Sequence, residues 1–164
     1  MTMCGMLIQL SNTIAATSNI QIATGWNLVG NGSTDPVNVA TAFSTSPIAT
    51  IWKWNADSSK WSFYTPSMAD GGAAYAVTKG YKSLVTINPG DGFWINASQP
   101  FALPSFTGVT YSASNFQQGS AGQMLQGWNL IAVGDAISPK QFNASLSSTS
   151  VLPGVIPQNL TSLW

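Results

Sequence analysis

The chain has 164 residues, of which 45% are hydrophobic and 11% aromatic, while only 6% carry charge. Five Lys balance five Asp, and His is absent, so the net charge is zero. This excludes a disordered chain, which needs low hydrophobicity, and excludes nucleic acid and anionic membranes as partners, since both need clustered cations.

No run approaches the roughly 20 apolar residues of a membrane span. Cys4 stands alone, so no internal disulfide is available.

Residues 1–24 read as a leader and a first short strand at Asn19–Ile22. Residues 1–10 are mildly apolar but lack the basic start of a secretory signal. Residues 25–106 read as a complete structural unit. Its first strand runs through Trp26 and Leu28 and stops at the Gly30-Asn31-Gly32 turn. Asp35-Pro36 predicts a helix start, with Asp as cap, Pro at the first helical position, and Val39 and Phe43 on one face. Ile51–Trp54 and Lys60–Tyr64 flank Asn55–Ser59 and predict a β-hairpin, with Pro66 ending its second strand. Period-two geometry puts Trp52 with Trp54, and Trp61 with Phe63, on shared faces. A short helix is expected over Ala73–Lys79, stopped by Gly80. Strands follow at Leu84–Ile87 and Phe93–Ala97 around the Pro89-Gly90-Asp91-Gly92 turn, and an edge strand at Phe101–Phe106.

Residues 107–126 form a Ser/Gln/Gly-rich connector, and residues 127–164 a shortened second copy expected to pack on the first. Gly25-Trp26-Asn27-Leu28-Val29 returns as Gly127-Trp128-Asn129-Leu130-Ile131. Ser138-Pro139 with Phe142 and Leu146 repeats the helix start, and Leu163-Trp164 answers Ile51-Trp52. The hairpin partner of that last strand has no second copy. The predicted fold is mainly β, an antiparallel sandwich or partly open barrel with two or three short helices. Its low charge and its unpaired edge predict a homodimer or strand-exchanged oligomer.

The segments Gly25-Trp26-Asn27-Leu28, Trp52-Lys53-Trp54, Trp61-Ser62-Phe63-Tyr64 and Gly90-Asp91-Gly92-Phe93-Trp94 together resemble a repeat of secreted, mostly proteobacterial proteins. Those units run from a GWNLVGN-like strand through a W-K-W…W-x-F-Y-x-P hairpin to a G-x-G-F-W-V-N strand. The resemblance covers residues 25 to about 100 and part of 127–164. It implies an extracellular or cell-surface location and carries no activity with it. In size and in its shortened second copy, the chain is also similar to small hydrolases from environmental DNA that open N-acylhomoserine lactones, the chemistry of quorum quenching.

Without His there is no Ser-His-Asp or Cys-His site and no imidazole base. No G-x-S-x-G elbow or phosphate-binding loop is present. Asp35, Asp57, Asp91 and Asp135 each read, singly, as a cap or turn residue. Taken together, Asp57, Asp91 and Asp135 are the candidate ligands of a hard cation such as calcium, with Asp91 and Asp135 the catalytic candidates. Such an ion would polarise an ester or lactone carbonyl. Trp52, Trp54, Trp61, Tyr64 and Trp94 are the candidate ligand-binding residues, since flat rings suit carbohydrate or another small amphipathic molecule. At least half of these rings are expected in the core. The leading expectation is a non-enzymatic binding or adhesion module of an exported bacterial protein. The alternative is a calcium-assisted hydrolase of small esters or lactones.

Overall fold

A computed structural model describes residues 20–117, 119–120 and 122–146. Over these residues the fold is mainly β, with three short α-helices and no closed barrel. Five strands form the main sheet: β2 (Gly25–Gly30), β4 (Ile48–Asn55), β5 (Lys60–Tyr64), β6 (Lys82–Ser83) and β8 (Gly92–Ala97). Their order is β2-β8-β4-β5-β6, and every pairing is antiparallel except β5 with β6. Two small ladders complete the β structure. One joins β1 (Gln21–Ile22) to β9 (Phe101–Ala102), and the other joins β3 (Val37–Asn38) to β7 (Thr86–Ile87).

Side-chain alternation along each strand divides the main sheet into two unlike faces. On the inner face a row runs Asn27–Ile95–Ile51–Tyr64 across four strands. Phe93, Ile95, Ile51 and Tyr64 pack there against Ile22, Val37 and Ile87 of the two ladders, and against Val39 and Phe43. This is the main core, a sandwich of one sheet against ladders and a helix. On the outer face the equivalent row reads Leu28–Trp94–Trp52–Phe63.

The hairpin of β4 and β5 turns through residues 56–59, and Ser59 takes a left-handed conformation at the last turn position. Helix α2 (Ala73–Thr78) ends before Gly80, which has the positive φ expected of a C-terminal stop. Its start has no capping bond from Gly72; the Asp70 carboxylate instead accepts from the Gly72 and Ala74 N–H groups at 2.9 and 2.8 Å. Helix α3 (Pro139–Leu146) begins as expected. The Ser138 hydroxyl accepts from the Gln141 N–H, and the Gln141 side chain accepts from the Ser138 N–H, a reciprocal cap.

Three expectations need correction. The first helix, α1 (Val39–Ala42), starts later than Asp35-Pro36; Asn38 caps it, accepting from the Thr41 N–H. Residues 37–38 are drawn into the ladder with β7, where Val37 buries its side chain. The expected strand Leu84–Ile87 shortens to β7 (Thr86–Ile87), because the chain after β6 leaves the main sheet for the ladder, burying Leu84 on the way. The expected strand Phe101–Phe106 shortens to two residues. Residues of the connector join a second core: Tyr111, Ala113 and Phe116, the last two in a 3₁₀ turn over Ala113–Phe116, pack with Phe142 and Leu146 of α3. The strand expected around Leu163-Trp164 lies outside the described residues.

The two glycine-tryptophan segments share one local geometry. Asn27 receives the Ala23 N–H at 3.0 Å and donates to the Ala23 and Gly25 carbonyls at 2.7 and 3.0 Å. Asn129 receives the Leu125 N–H at 3.0 Å and donates to the Leu125 and Gly127 carbonyls at 2.7 and 3.0 Å. Gly25 and Gly127 both have positive φ, 90° and 97°, which favours glycine. Beyond that turn the copies part. The first continues as β2. The second forms one antiparallel bridge, Ile131 opposite Asp91, with the Gly92 N–H on the Leu130 carbonyl and the Ala132 N–H on the Gly90 carbonyl. It takes the place beside β8 that β4 leaves after Trp52 pairs with Trp94.

Candidate functional site

The outer face of the main sheet carries the candidate site. Trp26, Trp52, Trp61, Tyr81 and Trp94 line a cleft of about 520 Å³. β2 supplies Trp26, β8 supplies Trp94, and the hairpin supplies Trp52 and Trp61. Tyr81 follows α2 and the Gly80 stop. The rings hold one another in edge-to-face contacts: Trp26 with Trp94 at 6.4 Å, Trp52 with Trp61 at 6.4 Å, and Trp52 with Tyr81 at 5.1 Å between centroids. Such contacts add about 0.5–1.5 kcal/mol each beyond area burial. Phe63 lies beneath, 4.7 Å from Trp52 and 5.3 Å from Tyr75. The Trp52 indole N–H is bonded to the Thr50 hydroxyl, which fixes its ring plane.

Among the described residues, no charged side chain lines the cleft. Trp26 is 59% exposed at one end, and Leu28 beside it is also exposed. An exposed aromatic cluster of this kind marks an interaction surface.

Of the five candidate binding residues, Trp52, Trp61 and Trp94 meet in the cleft. Trp54 shares their face and touches Trp61 at 5.4 Å, but its indole N–H is bonded to the Trp128 carbonyl and its ring does not line the cleft. Tyr64 belongs elsewhere. It pairs with Ile51 on the inner face and is buried in the main core. Strand parity is the cause: Trp61 and Phe63 point outward, so Tyr64 points inward. Sequence reasoning missed Trp26 and Tyr81. Trp26 has a legible signal, because it alternates with Leu28 along β2. Tyr81 has none, since its place depends on how α2 returns the chain to the sheet.

The three candidate cation ligands do not converge. Among the described residues, no group of three or more Asp, Glu, His or Cys side chains is arranged to hold a metal ion. Asp57 sits at the hairpin turn, where the Ser58 hydroxyl, then Lys82 at 3.5 Å, holds its carboxyl below the usual carboxylate value. Asp91 pairs with Lys53 at 2.7 Å and accepts from the Asn88 N–H at 2.7 Å, closing the Pro89-Gly90 turn. Asp135 accepts from the Ala113 N–H at 2.8 Å and ties the second copy to the 3₁₀ turn. Each carboxylate belongs to a different local structure, which explains why the convergence expected from composition does not occur. Near Asp91 lies Tyr111, whose hydroxyl is pushed above its usual range by burial first and by the Asp91 charge second.

No protein-family model matches the chain, and no curated protein or solved structure is similar to it.

Proposed function

We propose that this chain is a non-enzymatic binding module of an exported bacterial protein, and that the outer aromatic face takes neutral carbohydrate. One observation supports this reading most: four Trp and one Tyr line an uncharged open cleft on a rigid sheet. A sugar ring has a C–H face that stacks on an indole and hydroxyls that remain in water. A ligand bearing net charge would find no partner in this cleft. The mutual ring contacts also preorganise the site, which lowers the ordering cost of binding. The exported origin rests on the resemblance of the W-K-W and G-x-G-F-W segments to the secreted repeat. Nothing in the positions of Asp57, Asp91 and Asp135 favours the cation-assisted hydrolase.

The test is a titration of intrinsic Trp fluorescence with soluble neutral oligosaccharides. The expected result is a saturable change that Trp94→Ala weakens by at least about tenfold, equivalent to about 1.4 kcal/mol. A fluorescence response unaltered by Trp94→Ala contradicts the reading.

Self-association is the second part of the proposal. Among the described residues β2 pairs on one side only, with β8, so its other edge offers backbone groups for pairing. Zero net charge provides little repulsion between copies. Light scattering at high concentration is expected to return a dimer or larger species; a monomer throughout contradicts this part.

A further inference from the structure

A second cleft, of about 640 Å³, opens at the far end of the sheet, between the β4–β5 turn, the Asn88–Asp91 turn and residues 122–131 of the second copy. It is separate from the aromatic cleft, with which it shares no lining residue. Its walls mix apolar side chains, including Trp54, Met124 and Leu130, with polar ones, including Asn55, Asp57 and Gln123, and it holds the ion pair of Lys53 and Asp91.

That pair is incompletely used. Lys53 is only 9% exposed, yet its ammonium group, which has three N–H donors, meets a single described acceptor, Asp91. Asp91 engages both Lys53 and the Asn88 N–H through Oδ2, and its Oδ1 accepts from no described residue. Leaving a nearly buried donor idle is costly in free energy, so partners are expected for it. Three neighbouring donors are engaged elsewhere and do not serve Asp91 Oδ1. The Asn55 amide donates to the Lys60 carbonyl and the Ser62 hydroxyl, the Asn129 amide donates to Leu125 and Gly127, and the Trp54 indole donates to Trp128.

A donor and an acceptor therefore stand side by side, and their charges cancel; Asp57, which also lines the cleft, has its own cation in Lys82 at 3.5 Å. This selects a ligand with an acceptor and a donor on adjacent atoms and no net charge. Vicinal hydroxyls on a ring fit, with the ring's C–H surface against Trp54 and Leu130. We propose that this cleft is a second binding site, specific for neutral cyclic molecules bearing neighbouring hydroxyl groups. One hydroxyl oxygen accepts from Lys53 and the other hydroxyl donates to Asp91. The proposal does not depend on the aromatic face, and its outcome is read from different residues.

The experiment is a ¹H–¹⁵N titration of the full chain with cis-1,2-cyclohexanediol, and in parallel with cyclohexanol and with glycine. The expected result is saturable shifts at the amides of Lys53, Asn88 and Asp91 with the diol, several-fold larger than with cyclohexanol. Ala56→Trp, which puts a bulky side chain on the cleft wall, abolishes them. Lys53→Met, nearly isosteric and without donors, abolishes them in a chain whose remaining spectrum is unchanged. No diol shifts, equal shifts with cyclohexanol, glycine in place of the diol as the bound species, or diol shifts that persist in either variant would each overturn the proposal.

Discussion

Trp94 and Tyr64 show how one residue's parity decides its role. Trp94 stands opposite Leu28 and Trp52 on the outer face, while Tyr64 stands opposite Ile51 on the inner face. Tyr64→Ala is expected to destabilise the fold by roughly 3–5 kcal/mol, the usual cost of emptying a buried aromatic position. Tyr64→Phe is expected to leave carbohydrate binding unchanged. Denaturant unfolding and fluorescence titration of the two variants check this; a binding loss in Tyr64→Phe contradicts the assignment. Asp70 supports a prediction about pH. The Ala74 and Gly72 N–H bonds hold its carboxyl below the ordinary 3.8. A depressed folded value means stability that is complete above about 3.8 and lost as pH falls through the lowered value. Hydrogen exchange at the Gly72 and Ala74 amides is expected to accelerate below that window, relative to other amides, and Asp70→Asn is expected to remove the effect. Protection that is flat with pH in the natural chain contradicts it.

At the scale of elements, the two helix starts that look alike in sequence differ in structure. Ser138-Pro139 begins α3 directly, whereas Asp35-Pro36 is followed by β3 and only then by α1, capped by Asn38. Asn38→Ala is expected to cost about 1 kcal/mol, the common value for a lost cap, and Asp35→Ala distinctly less. Thermal unfolding of the two variants decides between the caps, and the reverse order refutes the placement. The hairpin, α2 with its Gly80 stop, β8 and α3 were legible from sequence because each is specified locally, by alternation, a turn or a cap. The start of α1 and the shortening of the strand at Leu84–Ile87 were not, because both depend on pairing between segments some 50 residues apart in the chain, Val37 with Ile87. The same division holds at the site. Trp52, Trp61 and Trp94 follow from strand parity, and Tyr64 would have been placed correctly by the same parity. Tyr81 joins the cleft through tertiary packing alone. The dispersal of Asp57, Asp91 and Asp135 depends on turns and an ion pair that composition does not reveal.

Across the whole molecule, the second copy meets the first at matching positions. A Cβ on Gly30 would collide with Ala132, its counterpart in the repeat, and a Cβ on Gly32 would lie 2.8 Å from the Cα of Gly134, again its counterpart. Like-with-like contact is what an approximate two-fold relation produces near its axis. Small residues at these positions let the backbones approach, and the Tyr111 N–H on the Gly32 carbonyl with the Gly134 N–H on the Tyr111 carbonyl completes the junction. Gly32→Ala is expected to destabilise the chain by about 1–3 kcal/mol through overpacking. Loss of protection at the Gly134 amide would accompany it; unchanged stability and exchange would show that the copies do not depend on this crossing.

The central claim is that the outer aromatic face is the carbohydrate-binding surface. It is tested most directly by following the Trp indole N–H resonances during titration with a neutral oligosaccharide. Trp128 serves as an internal control, because it is 71% exposed yet lines no part of the cleft. The account predicts saturable shifts for the indoles of Trp26, Trp52, Trp61 and Trp94, with Trp128 unmoved. No shift in those four, or shifts that follow exposure and are largest at Trp128, would contradict it.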